Sequence, residues 1–160
     1  MRMSALDLLL EAMDRAYDRK SWHGPNLRGS VRRVDGATAA WRPGPARHNI
    51  WEHAVHCAYW KYIARRRLLG EKRGSFPLKG SNWFVRPGDG ALADWDEDVA
   101  LLEQCHGALR AAVADLRPAA LEARPGGSKY TNVELLLGVA AHDVYHAGQI
   151  QLLKRLAAVR

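Results

Sequence analysis

The chain has 160 residues, two cysteines and a formal net charge of +7, which together exclude several classes of protein. At this length we expect a single domain over residues 1–160, with about two-thirds of the extended surface buried on folding. Cys57 and Cys105 lie within helical patterns and form no Cys-x2-Cys motif. We therefore expect free thiols in a reducing compartment, the cytoplasm, rather than disulfides or a thiolate zinc site.

The apolar runs of the sequence are too short for membrane segments. Acidic residues interrupt the short apolar run near the N-terminus, and no stretch is long enough to span a bilayer. We therefore expect neither a signal peptide nor a membrane-spanning helix.

The positive charge raises nucleic acid as a partner. Arginine, however, is spread along the whole chain, and the densest runs, Arg32-Arg33 and Arg65-Arg66-Arg67, are short. We therefore favour a solvated surface, or one that binds a small anionic molecule, over a nucleic-acid interface.

Four long segments have apolar residues at helical spacing, which predicts an all-α protein. Ser4, Asn49 and Thr131 each precede an acidic residue by three positions, as N-cap residues do. The connections are long enough for crossovers, so we expect a four-helix bundle. The helices are predicted over about Ala5–Arg19, from Asn49 through Leu69, from Asp94 towards Pro118, and over Asn132–Ala157.

Two of the connections are more than simple linkers. The segment over residues 21–30 carries Trp22 and His23, and Trp22 either caps the core or helps to line a site. Residues Gly70 to Gly90 predict a long ordered loop anchored by aromatic side chains, able to lie across one end of the bundle.

The last predicted helix carries two histidines on one face. His142 and His146 are four residues apart, so their imidazoles point towards the same place. Gln149 extends this stripe with an amide, and neighbouring apolar residues turn it towards the interior. The spacing fits two ligands of a divalent metal, and also two core histidines hydrogen-bonded to their neighbours.

The second helix carries His53 and His56 on one face. Glu52 lies one turn before His56, where it either orients that imidazole or, as we favour, only caps the helix. His106 stands alone in the third helix, and we expect it to be a polar-face residue or a core residue with its hydrogen bonds satisfied.

Together His56, His142 and His146 would meet the ligand count of a catalytic zinc-type site, which uses three protein ligands and leaves one position open. Three neutral imidazoles leave the ion its double charge, which lowers the pKa of a bound water or thiol. Hydrolysis and thiol chemistry are both open to such a site.

The chain resembles the DinB/YfiT superfamily of metalloenzymes over nearly its whole length. The most distinctive part of the likeness is the run from His142 to Ile150. The other motifs that carry it are Trp22-His23-Gly24-Pro25, His48-Asn49-Ile50-Trp51-Glu52, His56, Tyr59-Trp60-Lys61 and Asn82-Trp83.

This resemblance implies an up-down-down-up four-helix bundle, often a homodimer, with a divalent ion on His56, His142 and His146. The family has leucine or a similar residue where this chain has His53. His53 is therefore a departure: a fourth ligand, a base that supports a ligand, or an inert substitution, and we favour the last two. Some members of the family resemble S-transferases that use bacillithiol or mycothiol, and one branch isomerises maleylpyruvate.

Our first hypothesis is a metal-dependent enzyme that binds zinc or nickel and takes a low-molecular-weight thiol or water at the open position. His23 and His53 are its candidate catalytic residues, and a basic rim with Trp22 would receive the small-molecule substrate. The alternatives are a metal-dependent hydrolase and a non-catalytic dimeric metal-binding module.

Overall fold

The computed structural model of the chain describes residues 3–86, 92–126 and 128–159. Within these ranges the only β-structure is an isolated bridge between Ser21 and Gly24, so the all-α prediction is confirmed. The helices are α1 (Ala5–Tyr17), α2 (Leu27–Val31), α3 (Gly36–Ala40), α4 (Ile50–Leu69), α5 (Leu92–Ala114) and α6 (Asn132–Ala157), with a 3-10 helix at Pro118–Glu122.

Side chains define most of the helix ends. Thr131 and Glu134 form a capping box at the start of α6, in which each side chain accepts a hydrogen bond from the backbone N–H of the other. Ser4 and Asp7 do the same at the start of α1. Gly70 ends α4 in the left-handed conformation, with a φ of 67°, which costs little without a Cβ.

Two helix ends differ from prediction. α5 begins at Leu92, so Asp94 lies in the first turn, where a negative charge is favourable, and does not precede the helix. α1 ends at Tyr17 because the N–H groups of both Asp18 and Arg19 donate to the same carbonyl, that of Asp14.

The short helix α2 falls within a segment that the sequence indicates only as turn-rich. The Asn26 side chain starts it by accepting from the N–H of Gly29 at 2.7 Å. Leu27 and Val31 are buried, and α2 packs against α6.

The four long helices pack in a closed order. α4 lies against α5 and α6, and α1 lies against the other sides of α5 and α6. α4 and α6 are therefore neighbours, which allows side chains from residues 50–69 and 132–157 to share a site.

The core has two parts. One surrounds the buried indoles of Trp51 and Trp95, which meet edge to face at 5.5 Å, and the other surrounds Met13, Leu109 and Leu136. The Trp51 indole N–H also donates to the buried carboxylate of Asp98 at 2.6 Å. This fixes the first turns of α4, from which the candidate ligands of that helix project.

The loop after α4 is anchored by aromatic rings, as predicted. Phe76 and Phe84 pack against Tyr59 on α4, with ring centroids 5.2 and 5.3 Å from it. Residues 87–90 of the predicted loop lie outside the described residues. Trp22 is 99% exposed, so it does not cap the core.

Two further predictions concern bilayers and disulfides. In the described part of the chain, no helix has both the length and the apolar character that crossing a bilayer requires. Cys57 and Cys105 are free thiols, as expected.

Candidate metal centre

Three histidine side chains converge between α4 and α6. The Nε2 atom of His142 lies 3.0 Å from the Nε2 atom of His56 and 3.0 Å from that of His146. One ring nitrogen from each of the three lies within 4.8 Å of the others, a grouping able to hold a metal ion. The helix supplies the His142–His146 pair through its own periodicity, whereas His56 joins them because α4 packs on α6.

The donor set fits a divalent cation. Tetrahedral zinc with Zn–N bonds of about 2.0–2.1 Å holds its nitrogens roughly 3.3 Å apart. The two 3.0 Å separations at His142 are close to that value, so small ring movements would suffice. Three imidazoles would bind zinc or nickel without adding negative charge.

A backbone carbonyl orients His56. The His56 Nδ1 lies 2.7 Å from the carbonyl oxygen of Asn82. A carbonyl only accepts, so Nδ1 carries the proton and Nε2 directs its lone pair at the converging nitrogens. The Asn82 side chain in turn accepts from the indole N–H of Trp60 at 2.9 Å.

Asn82 has a φ of 66°, a left-handed conformation that asparagine adopts more readily than most residues. Its carbonyl and its side chain therefore act together: the first holds His56, and the second ties the loop to α4. The sequence offers Asn82-Trp83 only as part of a family likeness, because a backbone acceptor has no residue type of its own.

His53 lies behind His146. The two Nδ1 atoms are 2.9 Å apart, so one ring donates and the other accepts, and the Nε2 of His146 stays free to face His142. His53 is buried. This contact favours the interpretation of His53 as a residue that supports a ligand over the inert one.

Trp83 covers the other side of His56. Its indole is stacked between His56 and His48, with ring centroids 3.9 and 3.6 Å away. His48 is held by the Glu52 carboxylate at 3.0 Å, and Arg42 pairs with the same carboxylate.

The prediction that Glu52 only caps α4 is therefore wrong, and its contacts do not go to His56 either. Asn49 does cap the helix, accepting from the N–H of Glu52 at 2.8 Å. The Glu52 carboxylate does not complete a capping box with Asn49, because it is already bonded to Arg42 and His48. Its effect on the site passes through His48 and Trp83.

Burial keeps the clustered histidines neutral. It lowers the pKa of His142 to about 3 and of His146 to about 4, and each imidazole also repels charge on its neighbours. Burial likewise lowers the pKa of His56, and it lowers that of His53 to about 3. A neutral imidazole is the form that binds metal.

A family model described as the DinB superfamily matches residues 20–150. The chain belongs to the DinB superfamily. The matched region contains His53, His56, His142 and His146, and membership agrees with the resemblance that the motifs indicated. Comparisons with curated proteins and with solved structures gave no match. A family fold by itself does not fix a reaction.

A second possible ligand set in this DinB-superfamily chain overlaps the first. Cys57, His142 and Asp143 also bring ligand atoms within 4.8 Å of one another. Burial raises the pKa of the Cys57 thiol well above its usual value, which disfavours the thiolate. The Asp143 carboxylate forms an ion pair with Lys61. The three histidines therefore fit a cation better.

The Lys61–Asp143 pair is fully buried, each residue being 1% exposed. Sequence reasoning missed it, although Lys61 falls on the stripe of α4 that also carries Ala54, Cys57 and Ala64. A lysine on a buried stripe requires a partner, and that requirement was the available signal.

The structure does not bring His23 to the cluster. His23 lies beside Val144, Gly148 and Gln151. At about 100° per residue, these positions face away from His142 and His146 on α6. Gln149 does lie near the site: its amide partly offsets the lowered pKa of His146.

His106 is a core residue, as expected. It is buried and stacks on the ring of Tyr17 with centroids 3.5 Å apart. Its Nδ1 has no hydrogen-bond partner among the described residues, so its hydrogen bonds are not satisfied, contrary to one part of the prediction.

Proposed function

We propose that this chain is a metal-dependent enzyme in which His56, His142 and His146 hold one divalent cation, zinc or nickel. The observation that supports this most is the convergence of three Nε2 atoms, with both separations from His142 at 3.0 Å. When bound to three neutral imidazoles, such an ion keeps its double charge and lowers the pKa of a coordinated thiol or water.

The protein's own residues prepare the ligands. Asn82 holds His56 in the tautomer that leaves Nε2 unprotonated, and His53 holds the outer nitrogen of His146. Trp83 lies flat on His56 and keeps water from that face of the ring. Fixing ligand rings in this way raises metal affinity and selects one coordination geometry.

The thiol that we propose as substrate comes from outside the chain. Burial raises the pKa of Cys57, which is fully buried, and raises that of Cys105 to about 11. Neither side chain is suited to act as a nucleophile near neutral pH. We therefore propose an S-transferase that joins a low-molecular-weight thiol to an electrophilic substrate.

We further propose the family's architecture and assembly: a single domain with the up-down-down-up order of a four-helix bundle, forming a homodimer in the cytoplasm. Exposed leucines on α1 and α6, including Leu8 and Leu152, support a surface that a second copy would cover.

The test is turnover of monochlorobimane by zinc- or nickel-loaded protein with and without a low-molecular-weight thiol. We expect a thiol-dependent rate in the wild type and none in His142→Ala. His23→Ala is the matched control, because His23 lies on the other side of α6, and it should keep the wild-type rate.

The other outcomes separate the alternatives. Metal-dependent cleavage of an activated ester without thiol-dependent transfer would make the protein a hydrolase. A metal-loaded protein that does neither would be the non-catalytic dimeric module.

A further inference from the structure

A cavity of about 240 Å³ lies between α4 and α6, next to the histidine cluster. His142 forms part of its wall, so the cavity and the proposed metal site share a side chain. The lining residues are Trp60, Tyr130, Glu134, Leu135, Gly138, Val139 and His142.

The wall of this cavity is apolar because its polar groups are already engaged. The Trp60 indole N–H donates to Asn82, so the ring contributes an apolar surface. The Glu134 carboxylate accepts from the N–H and the hydroxyl of Thr131 at 2.7 and 2.8 Å. Leu135 and Val139 supply aliphatic surface beside His142. The cavity therefore favours an apolar group, with a ligand imidazole at one side.

The volume is sufficient for an aromatic ring. A dry cavity of about 150 Å³ in a protein core holds benzene. A pocket of 240 Å³ therefore has room for at least one six-membered ring with small substituents.

We propose that this cavity binds the aromatic ring of a small substrate whose metal-coordinating anionic group reaches the ion on His56, His142 and His146. The position of the anionic group rests on the proposed function, whereas the position of the ring follows from the cavity itself. The substrate class is thus a small aromatic compound with one coordinating head group.

Gly138 offers a way to fill the cavity without disturbing the ligands. A Cβ at this position would meet no atom within 4 Å, so a leucine side chain has space to enter. Gly148 is the matched control: it lies in the same helix, its Cβ would also meet no atom within 4 Å, and it faces the surface near His23. Both substitutions replace a mid-helix glycine and raise helix propensity equally.

The experiment compares benzohydroxamate with acetohydroxamate, which share a chelating head group and differ in the ring. Binding to zinc-loaded protein is measured by calorimetry, and zinc content is measured separately by elemental analysis. We expect the wild type to bind benzohydroxamate roughly tenfold more tightly or better, the gain expected from burying a phenyl group. Gly138→Leu should abolish this preference and keep its affinity for acetohydroxamate, and Gly148→Leu should behave like the wild type.

Equal affinities in the wild type, or a ring preference that survives in Gly138→Leu, would overturn the ring site while leaving the metal site intact. A wild-type protein that takes up no zinc would overturn the proposed function, and with it the anchor for the head group. The elemental analysis distinguishes these two failures.

Discussion

Two regions of this chain bury histidine and lower its pKa, but only one of them gathers ring nitrogens. Between α4 and α6, His142 lies 3.0 Å from two other imidazole nitrogens. In α5, burial lowers the pKa of His106 to about 3, as it does for His142. The neighbours of His106, however, are the ring of Tyr17 and three charged groups: Lys61 and Arg110 lower its pKa further, and Asp14 partly offsets them.

The comparison shows that burial and a low pKa do not make a ligand. Both follow from desolvation, which acts on any histidine that the fold encloses. Among the described residues, the groups of side chains able to hold a metal ion do not include His106, whereas a cation between α4 and α6 would meet converging lone pairs. Convergence of donors is therefore the property that separates the two regions.

The largest effect should come from removing a converging ring. His142→Ala should weaken zinc binding by more than the roughly 10–100-fold that loss of an outer partner costs. His106→Ala should leave zinc affinity unchanged, because no possible metal-binding group among the described residues includes His106. Competition with a chromophoric chelator measures both, and equal losses in the two variants would break the comparison.

The second-largest effect on zinc affinity should come from His53, which contacts the outer nitrogen of His146. His53→Leu should weaken zinc binding by roughly 10–100-fold, because the outer nitrogen of His146 loses the partner that fixes its ring. Chelator competition measures the affinity, and the spectrum of the cobalt-substituted protein reports whether the ligand geometry changes. An affinity equal to that of the wild type would mean that His53 is inert.

The pH dependence of stability tests the second region, in which His106 is buried without converging ligands. Unfolded His106 takes up a proton near its ordinary pKa of about 6.5, whereas burial lowers the folded pKa to about 3. The neutral buried ring therefore contributes stability that is lost as pH falls below 6.5. At pH 5 the loss from this residue is about 2 kcal/mol.

Urea unfolding of the metal-free protein at pH 7 and pH 5 tests this. His106→Phe keeps the stacking on Tyr17 and removes the titrating group. Its free energy of unfolding should therefore fall by about 2 kcal/mol less than that of the wild type between these two pH values. The clustered histidines titrate in both proteins and cancel in the difference. An equal fall in the free energy of unfolding of the wild type and of His106→Phe would show that the fold does not hold His106 neutral.

The smallest effect should come from the loop that orients His56. Asn82→Ala removes the bond to Trp60 and strains a residue whose φ is 66°, and we expect zinc affinity to fall by about tenfold. Asn82→Gly removes the same bond but tolerates the positive φ, so it should lose less. Equal affinities in both variants and the wild type would indicate that the Asn82 side chain and its left-handed conformation do not affect how the backbone carbonyl holds His56.

Local signals predicted the parts of the fold that depend on local interactions. The start of α6 follows from Thr131 and Glu134, and the end of α4 follows from Gly70, since caps act within a few residues. The five-residue helix α2 has a capping residue, Asn26, but is too short to show helical periodicity, and it is stabilised by packing Leu27 and Val31.

The candidate site also has a part that local sequence spacing predicts and a part that depends on how distant segments pack. His142 and His146 could be paired from their spacing alone, because four residues bring side chains to one face of a helix. That His56 joins them required knowing that α4 packs on α6. The Asn82 carbonyl could not be predicted at all, because a backbone acceptor carries no sequence signature and depends on the path of the loop.

Anomalous scattering from crystals grown with zinc tests the central claim most directly. We expect one ion within about 2.1 Å of the Nε2 atoms of His56, His142 and His146, with one coordination position left to solvent or ligand. No peak among these rings, or an ion held instead by Cys57 and Asp143, would contradict the account.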